Sequence, residues 1–249
     1  MNTTVKDIAR KRSHSHSAKR DFEDLYVAVR QQERRVYTDE QLMRLPQVDP
    51  LHIYHKEWKI RERSCERLLA RLRKKRRPLR ILEVGCGNGW LSAKMADIPG
   101  TDVIGLDVNH VEIDQASRVF RKKNLEFIYD TFNDSTFENE EFDVIVFAAS
   151  LQYFPSVVTV LKQAQAILAQ RGEIYITDTH FYDPLDAVDA DQRSRDYYSS
   201  LGYPEMSEHY FHHSISEFWG FKYRVLFNPQ NILNRLFGND PFYWITVRK

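Results

Sequence analysis

The chain has 249 residues, 42% of them hydrophobic, which is enough for the core of one α/β domain with some additions. Its 36 Lys and Arg nearly cancel its 35 Asp and Glu, so a formal net charge of +1 gives no global field to gather nucleic acid or an anionic membrane, and the balance favours a small or neutral substrate. Two cysteines, Cys65 and Cys86, argue against a disulfide framework, and the lack of a long apolar stretch or signal-peptide core leads to the expectation of a soluble cytoplasmic protein.

Residues 1–20 scatter Lys6, Arg10, Lys11, Arg12, Lys19 and Arg20 among Ser and His without a sustained period. They read as a solvated tail, with a nucleic-acid-binding arm as the alternative. Phe22, Leu25, Tyr26 and Val29 predict a short amphipathic helix over 22–35, whereas Pro46 and Pro50 break 39–50, which is expected to cross the surface as a loop. Over 54–76 a helix is predicted, with Trp58, Cys65, Leu68, Leu69 and Leu72 on one face. The basic stretch 71–80 suits the helix macrodipole, and an RNA-binding patch is its alternative.

The next stretch, ILEVGCGNGWL at 81–91, organises the chain. The apolar Ile81, Leu82 and Val84 stop at Gly85, Gly87 and Gly89, the pattern of a buried strand turning tightly into a helix where a ligand can approach bare backbone. Glu83 lies near the end of that strand, and Asp107 closes the following apolar run, VIGLD. The pairing describes a nucleoside site. A dinucleotide fingerprint would need a third glycine where Trp90 stands, and a P-loop would need G-x-x-x-x-G-K-[ST], which is absent.

The spacing E-x-G-x-G-x-G followed by Asp107 resembles motif I and the next strand of class I S-adenosylmethionine-dependent methyltransferases. The resemblance covers residues 81–249 and is strongest over 81–107. It implies a Rossmann-like three-layer α/β sandwich whose seven-stranded, mostly parallel sheet has the order 3-2-1-4-5-7-6 and an antiparallel last strand. Residues 1–78 would then be a tail and helical lid, the helix over 54–76 covering the cofactor pocket, and 79–249 the methyltransferase domain. By the same resemblance the glycine turn, with Glu83, Gly85, Cys86, Gly87 and Gly89, passes the amino-acid half of S-adenosylmethionine. Asp107, with Val108 beside it, holds the ribose hydroxyls. Asp130, Thr131 and Phe132, after a third strand at 125–129, meet the adenine, although an Asp at a strand end is also an ordinary turn residue.

Asn109 and Glu112 look like a capping pair opening a helix to Lys123. A fourth strand over 142–147 leads into AASLQYF, where small residues starting with Ala148 leave room for the sulfonium and the acceptor. No Asn/Asp-Pro-Pro-aromatic motif and no Pro-Cys nucleophile is present. A helix is predicted over 155–170, then a fifth strand over 172–178 ending in Asp178-Thr179-His180. Residues 180–214 are rich in aromatics and His and contain a predicted helix from 183 to about 200. They are expected to be a substrate-binding insert suited to a flat or apolar acceptor with one ionisable group, with core packing as the alternative role for the aromatics. A short capped helix at 214–219, strands at 221–227 and 242–248, and a helix at 229–237 complete the chain.

Methyl transfer is an in-line displacement that needs alignment and exclusion of water, with a general base where the acceptor must lose a proton. His180, His212, His213 and Tyr153 are the candidates for that base. His209, His212 and His213 match no metal-ligand spacing, and no metal is expected. The leading expectation is an O- or N-directed methyltransferase acting on a small molecule and releasing S-adenosylhomocysteine. Its alternatives are an RNA or protein methyltransferase using the basic N-terminal region, and a cofactor-binding but catalytically silent partner. An aminopropyl transferase is disfavoured by the uncharged AASLQYF.

Overall fold

Alternation along the first strand decides which residues meet which helical layer. The structure, a computed structural model, describes residues 22–133, 135–232, 234 and 240–249. In β1 (Leu79–Val84), Leu82 and Val84 join Ile104, Leu106, Ile145 and Phe147 on one face, against Val157, Val160, Leu161 and Ala164 of the helix α6 (Val157–Ala166). Leu79 and Ile81 join Val103, Val144 and Val146 on the other face. There they meet Trp58, Leu68 and Leu72 of α3 (His55–Arg73) and Trp90, Leu91 and Met95 of α4 (Trp90–Ala96).

The sheet order is β3-β2-β1-β4-β5-β7-β6. β2 (Thr101–Asp107) and β4 (Phe142–Ala148) flank β1 in parallel, while β3 (Leu125–Tyr129) and β5 (Leu168–Thr179) extend the parallel set on either side. β7 (Tyr243–Arg248) runs antiparallel to both β5 and β6 (Lys222–Phe227). This is the order, with the antiparallel last strand, that the resemblance implied. The helices after β1 and β4 pack on opposite faces, so the carboxyl ends of these two neighbours open the crevice in which ligands bind to such sheets.

Several boundaries differ from expectation. Leu168 already pairs with Phe142 ahead of a register shift, so β5 takes residues that helical periodicity had given to α6. The helix α5 (His110–Val119) ends four residues before Lys123, and its N-cap Asn109 accepts the Glu112 N–H at 3.2 Å. Residues 39–50 are not all loop. Thr38 and Gln41 form a reciprocal capping box that starts α2 (Asp39–Arg44) before Pro46 can end it.

The N-terminal elements lie across the carboxyl edge of the sheet. The helix α1, described over residues 22–32, packs Val29 with Tyr198 and Met206 of the 180–214 insert, whose helix α7 (Pro184–Leu201) ends at Gly202 with φ 86°. Arg35 then clasps Glu57 of α3 through two bonds of 2.9 and 2.6 Å. The basic tail 1–20 and most of the predicted helix 229–237 lie outside the described residues. Among those described, no helix is long and apolar enough to cross a membrane.

Candidate active site

Two connected cavities open at the carboxyl ends of β1, β2 and β4, sharing Tyr26, Gly85, Gly87 and Ala149 as walls. The larger, of about 520 Å³, runs from Asp107, Val108 and Asn109 past Asp130, Thr131 and Phe132 to Tyr153, Phe154 and His209, and is closed above by Phe22, Glu23 and Tyr26 of α1. The smaller, of about 90 Å³, is polar: Glu83, Cys86, Glu112, Asp178, Arg30 and Arg61 line it, with Ala148, Trp58 and Trp90.

The three glycines of the turn have separate duties. A Cβ on Gly85, whose φ is +74°, would stand 2.4 Å from Cβ of Ser150, and Ser150 Oγ in turn donates to the Val84 carbonyl at 2.6 Å, joining the ends of β4 and β1. Gly87 donates its N–H to Asp107 Oδ2 at 2.7 Å, and a Cβ there would come within 3.1 Å of Glu112 Oε2. Gly89 lines neither cavity. Its added Cβ would strike the Phe127 ring at 2.3 Å, so it is needed to seat α4 beside β3. Trp90 packs edge-on against Trp58, with ring centroids 5.5 Å apart, and ties the turn to α3.

Asp107 accepts a second backbone N–H, from Asn109, at 2.9 Å. These two bonds fix the carboxylate while leaving lone pairs free for hydroxyl donors in the larger cavity. Burial outweighs them and, with the nearby Glu23 carboxylate adding to it, raises its pKa. The Asp130 N–H donates to the Asp107 carbonyl at 3.1 Å, and Asp130 Oδ1 accepts the Thr131 N–H at 2.7 Å, so the loop after β3 folds back beside Asp107. Phe132 stands edge-on to Phe147 and closes that end.

The smaller cavity gathers acids whose burial favours the neutral form. Glu83, 2% exposed and bonded by the Ser92 hydroxyl, is pushed up to about 8 by burial. Burial and the nearby Asp107 bring Glu112 up to about 7, and burial brings Asp178 up to about 6 even though Ser64 Oγ donates to it at 2.6 Å. Cys86 is buried and its thiol is raised well above its usual range by burial, which keeps it protonated and unreactive. Ala149 and Asp178 at the ends of adjacent strands take φ of 54° and 56°, the left-handed region that ordinary side chains avoid.

The four residues considered as a base do not converge. Tyr153 lines the larger cavity, and burial raises its phenol. His180 packs on Phe242, ring centroids 4.6 Å apart, in a separate cleft with Tyr182 and Tyr243. His212 bonds to the Ser194 hydroxyl at 3.0 Å, and buried His213 lies between the Leu151 carbonyl at 3.2 Å and Glu217 at 3.3 Å. His209, stacked edge-on to Phe22, does reach the cavity wall. The sequence reading did not select Phe22, Glu23, Tyr26, Arg30, Arg61 or Asp178. A signal for three of them was present: Phe22, Tyr26 and Arg30 recur every four residues, one stripe of a helix.

Residues 58–219 match a protein family described as a methyltransferase domain. Over 126 residues the chain is 27% identical to sterol 24-C-methyltransferase of Saccharomyces cerevisiae, covering 49% of this chain and 33% of that enzyme. Over 106 residues it is 33% identical to demethylmenaquinone methyltransferase of Lactococcus lactis, covering 41% and 42%. The chain thus spans less than half the length of these curated relatives. Magnesium protoporphyrin IX methyltransferase of Synechocystis PCC 6803, crystallised with S-adenosylhomocysteine, superposes with a TM-score of 0.60 at 13% identity, over 93% of this chain and 99% of that one. The plantazolicin methyltransferase BpumL, in complex with S-adenosylhomocysteine and a desmethyl plantazolicin analogue, superposes with a TM-score of 0.55 at 18% identity, over 76% and 85%. At these identities the structural likenesses speak for the fold.

Proposed function

The chain belongs to the methyltransferase domain family, and from that premise we propose that it is an S-adenosylmethionine-dependent methyltransferase that methylates a small-molecule acceptor at oxygen or nitrogen and releases S-adenosylhomocysteine. The observation that carries the reading is Asp107: it ends β2, is anchored to the glycine turn through Gly87, and faces a cavity of about 520 Å³ large enough for a nucleoside and more.

The residues present suit the cofactor. Asp107 keeps acceptor capacity for two ribose hydroxyls, and the 130–132 loop supplies backbone and the Phe132 ring for the adenine. Bare backbone at Gly85 and Gly87 leaves space where a Cβ would intrude. The smaller cavity offers both signs of charge, Glu83 and Asp178 for an ammonium and Arg61 for a carboxylate, as a zwitterionic amino-acid end requires. When bound, the cofactor supplies an electrophilic methyl carbon on a sulfonium.

The chain's own contribution is alignment and dryness. α1 roofs the cavity and is held by Glu23, which accepts the Tyr129 hydroxyl at 2.9 Å and contacts the backbone and ring of His110. This supports reading residues 1–78 as a lid and extension over a 79–249 methyltransferase domain, with α1 as well as α3 in the covering role. Packing of α1 on Tyr198 and Met206 supports reading 180–214 as the acceptor-binding insert. Of the four base candidates Tyr153 alone lines either cavity, which supports it as the one that meets an acceptor. The aromatic wall of Phe22, Tyr26, Tyr153 and Phe154 favours an aromatic or apolar acceptor.

Calorimetric titration with S-adenosylmethionine and S-adenosylhomocysteine, with NAD as control, tests the reading. Micromolar binding of the first two and none of NAD is expected. A folded protein that binds neither would be the silent partner instead.

A further inference from the structure

Resting on that reading, we propose that Arg30, with the hydroxyls of Tyr26 and Tyr153, forms an anion-recognition site for the acceptor, and that the acceptor is a carboxylic acid methylated on its carboxylate oxygen.

Arg30 lies one helical turn after Tyr26, with its guanidinium carbon 4.8 Å from the centre of that ring, and the Tyr26 ring meets the Tyr153 ring edge-on at 5.7 Å. Tyr26 lines both cavities, Arg30 the smaller and Tyr153 the larger, so the three residues meet where the cavities join. That is the boundary between the amino-acid end of the cofactor and the aromatic chamber. Arg61 stands near Asp178 and is left for the cofactor's own carboxylate.

The guanidinium is aimed and underused. One of its five N–H groups donates to Glu33 at 3.1 Å, and no other hydrogen bond engages it among the described residues. Glu33 is itself held by the hydroxyl of Tyr197, on α7, at 2.5 Å, so lid and insert together orient Arg30. The hydroxyls of Tyr26 and Tyr153 have no partner among the described residues, yet they are not enclosed orphans. They open on the cavities. Burial raises both phenols, which stay protonated and act as donors. Glu33, at 3.1 Å, and the nearby Glu112 partly balance the cation, and its remaining N–H groups together with two O–H donors suit a carboxylate oxygen.

A carboxylate acceptor asks for no base, although His209, stacked edge-on to Phe22, stands at the wall of the larger cavity. His180, His212 and His213 are engaged outside the two cavities. A carboxylic acid, with an ordinary pKa of about 4, is already ionised at neutral pH and needs no base. As a carboxylate oxygen gains the methyl group, the carbon–sulfur bond breaks. The sulfonium's positive charge and the carboxylate's negative charge disappear together, leaving a methyl ester and a neutral thioether, and no proton is lost by the acceptor.

The test uses the full chain saturated with S-adenosylhomocysteine and titrated with benzoate, phenylacetate, cinnamate and indole-3-acetate, each paired with its neutral amide. At least one acid is expected to bind ten or more times tighter than its amide. Arg30→Gln should erase that preference and Arg30→Lys weaken it, while both bind S-adenosylhomocysteine within twofold of the wild type. Tyr153→Phe should weaken the acid by about tenfold, as the loss of a hydrogen bond to a charged group does. With methyl-tritiated cofactor, label transferred to the preferred acid should be released as volatile methanol by mild base. Equal binding of acids and amides, no binding of any acid, base-stable label, or a preference that survives Arg30→Gln overturns the proposal. A tenfold loss of S-adenosylhomocysteine affinity in Arg30→Gln also overturns it, by giving Arg30 to the cofactor. Failure of the wild type to bind S-adenosylhomocysteine at all is a different result and removes the methyltransferase reading itself.

Discussion

Asp107 Oδ2 and the Gly87 amide lie 2.7 Å apart, so the acid at the end of β2 and the second glycine of the turn after β1 form one hydrogen-bonded unit. The same carboxylate that faces the larger cavity, and that we propose holds the ribose, therefore also sets the shape of the turn.

Replacing Asp107 by Ala should consequently act twice. Cofactor affinity should fall by about 1.5 to 3 kcal/mol for each charge-assisted bond lost, and the turn should lose an anchor as well. Calorimetry with S-adenosylhomocysteine, alongside thermal unfolding, separates the two effects. A folded variant with unchanged affinity removes Asp107 from the ribose site.

Gly85 and Gly202 both have positive φ, at 74° and 86°, but only Gly85 has a neighbour in the way. Gly85→Ala should combine the left-handed penalty of about 1 to 2 kcal/mol with overpacking against Ser150 of about 1 to 3 kcal/mol, and should impair cofactor binding. Gly202→Ala, with nothing within 4 Å of its added Cβ, should show the first penalty alone and normal binding. Equal binding losses in both would mean that the glycine turn is not part of the site.

The turn and the strands around it were legible because their causes are local. Gly85, Gly87 and Gly89 punctuate an apolar run, and the run VIGLD carries Asp107 to the sheet edge by simple alternation. α2 was also written locally, in the Thr38–Gln41 capping box, but Pro46 drew attention to the break rather than the start. The site's upper wall was not legible. Tyr26 and Arg30 matter because Tyr153 and Tyr197 arrive from more than a hundred residues away, and amphipathicity in α1 records burial without saying against what. The histidines illustrate the converse. His209, His212 and His213 are neighbours in sequence, yet one reaches the cavity wall, one bonds Ser194 and one is buried against Leu151, because an irregular backbone points successive side chains in different directions.

His180 follows β5 directly, which made it a candidate base, but its ring packs on Phe242 in a different cleft. His180→Ala should therefore leave cofactor affinity and turnover within about twofold, the span of an ordinary surface change of roughly 0.5 kcal/mol. A large loss of turnover with intact cofactor binding would return His180 to the reaction.

The Arg35–Glu57 clasp joins the segment after α1 to α3. Although desolvation opposes it, the bonds from Arg35 and the charge of Arg61 hold the Glu57 carboxyl down to about 2 from an ordinary 4.5. A depressed acid contributes stability that is fully present above 4.5 and is lost as the pH falls toward 2. Glu57→Gln should thus lower stability near neutrality by about 1 to 3 kcal/mol, between the values for exposed and buried pairs, and flatten the acid limb of the profile. Denaturant titrations across pH 2 to 6 read both effects.

Glu83 has the opposite sign. Its carboxyl is raised by burial from 4.5 to about 8, so the folded protein keeps a proton that the unfolded chain gives up. Stability from this group is complete below 4.5, declines as the pH rises and is gone above about 8, with a slope of at most about 1.4 kcal/mol per pH unit for one proton. A cofactor ammonium placed against Glu83 would favour the ionised form, so binding below pH 8 should release a proton and strengthen with pH by up to about tenfold per unit. Calorimetry at pH 7 in buffers of different ionisation enthalpy counts that proton directly, and Glu83→Gln should abolish it. Heats independent of buffer would mean that Glu83 remains a neutral partner of Ser92 when the cofactor binds, and the ammonium would then belong to Asp178.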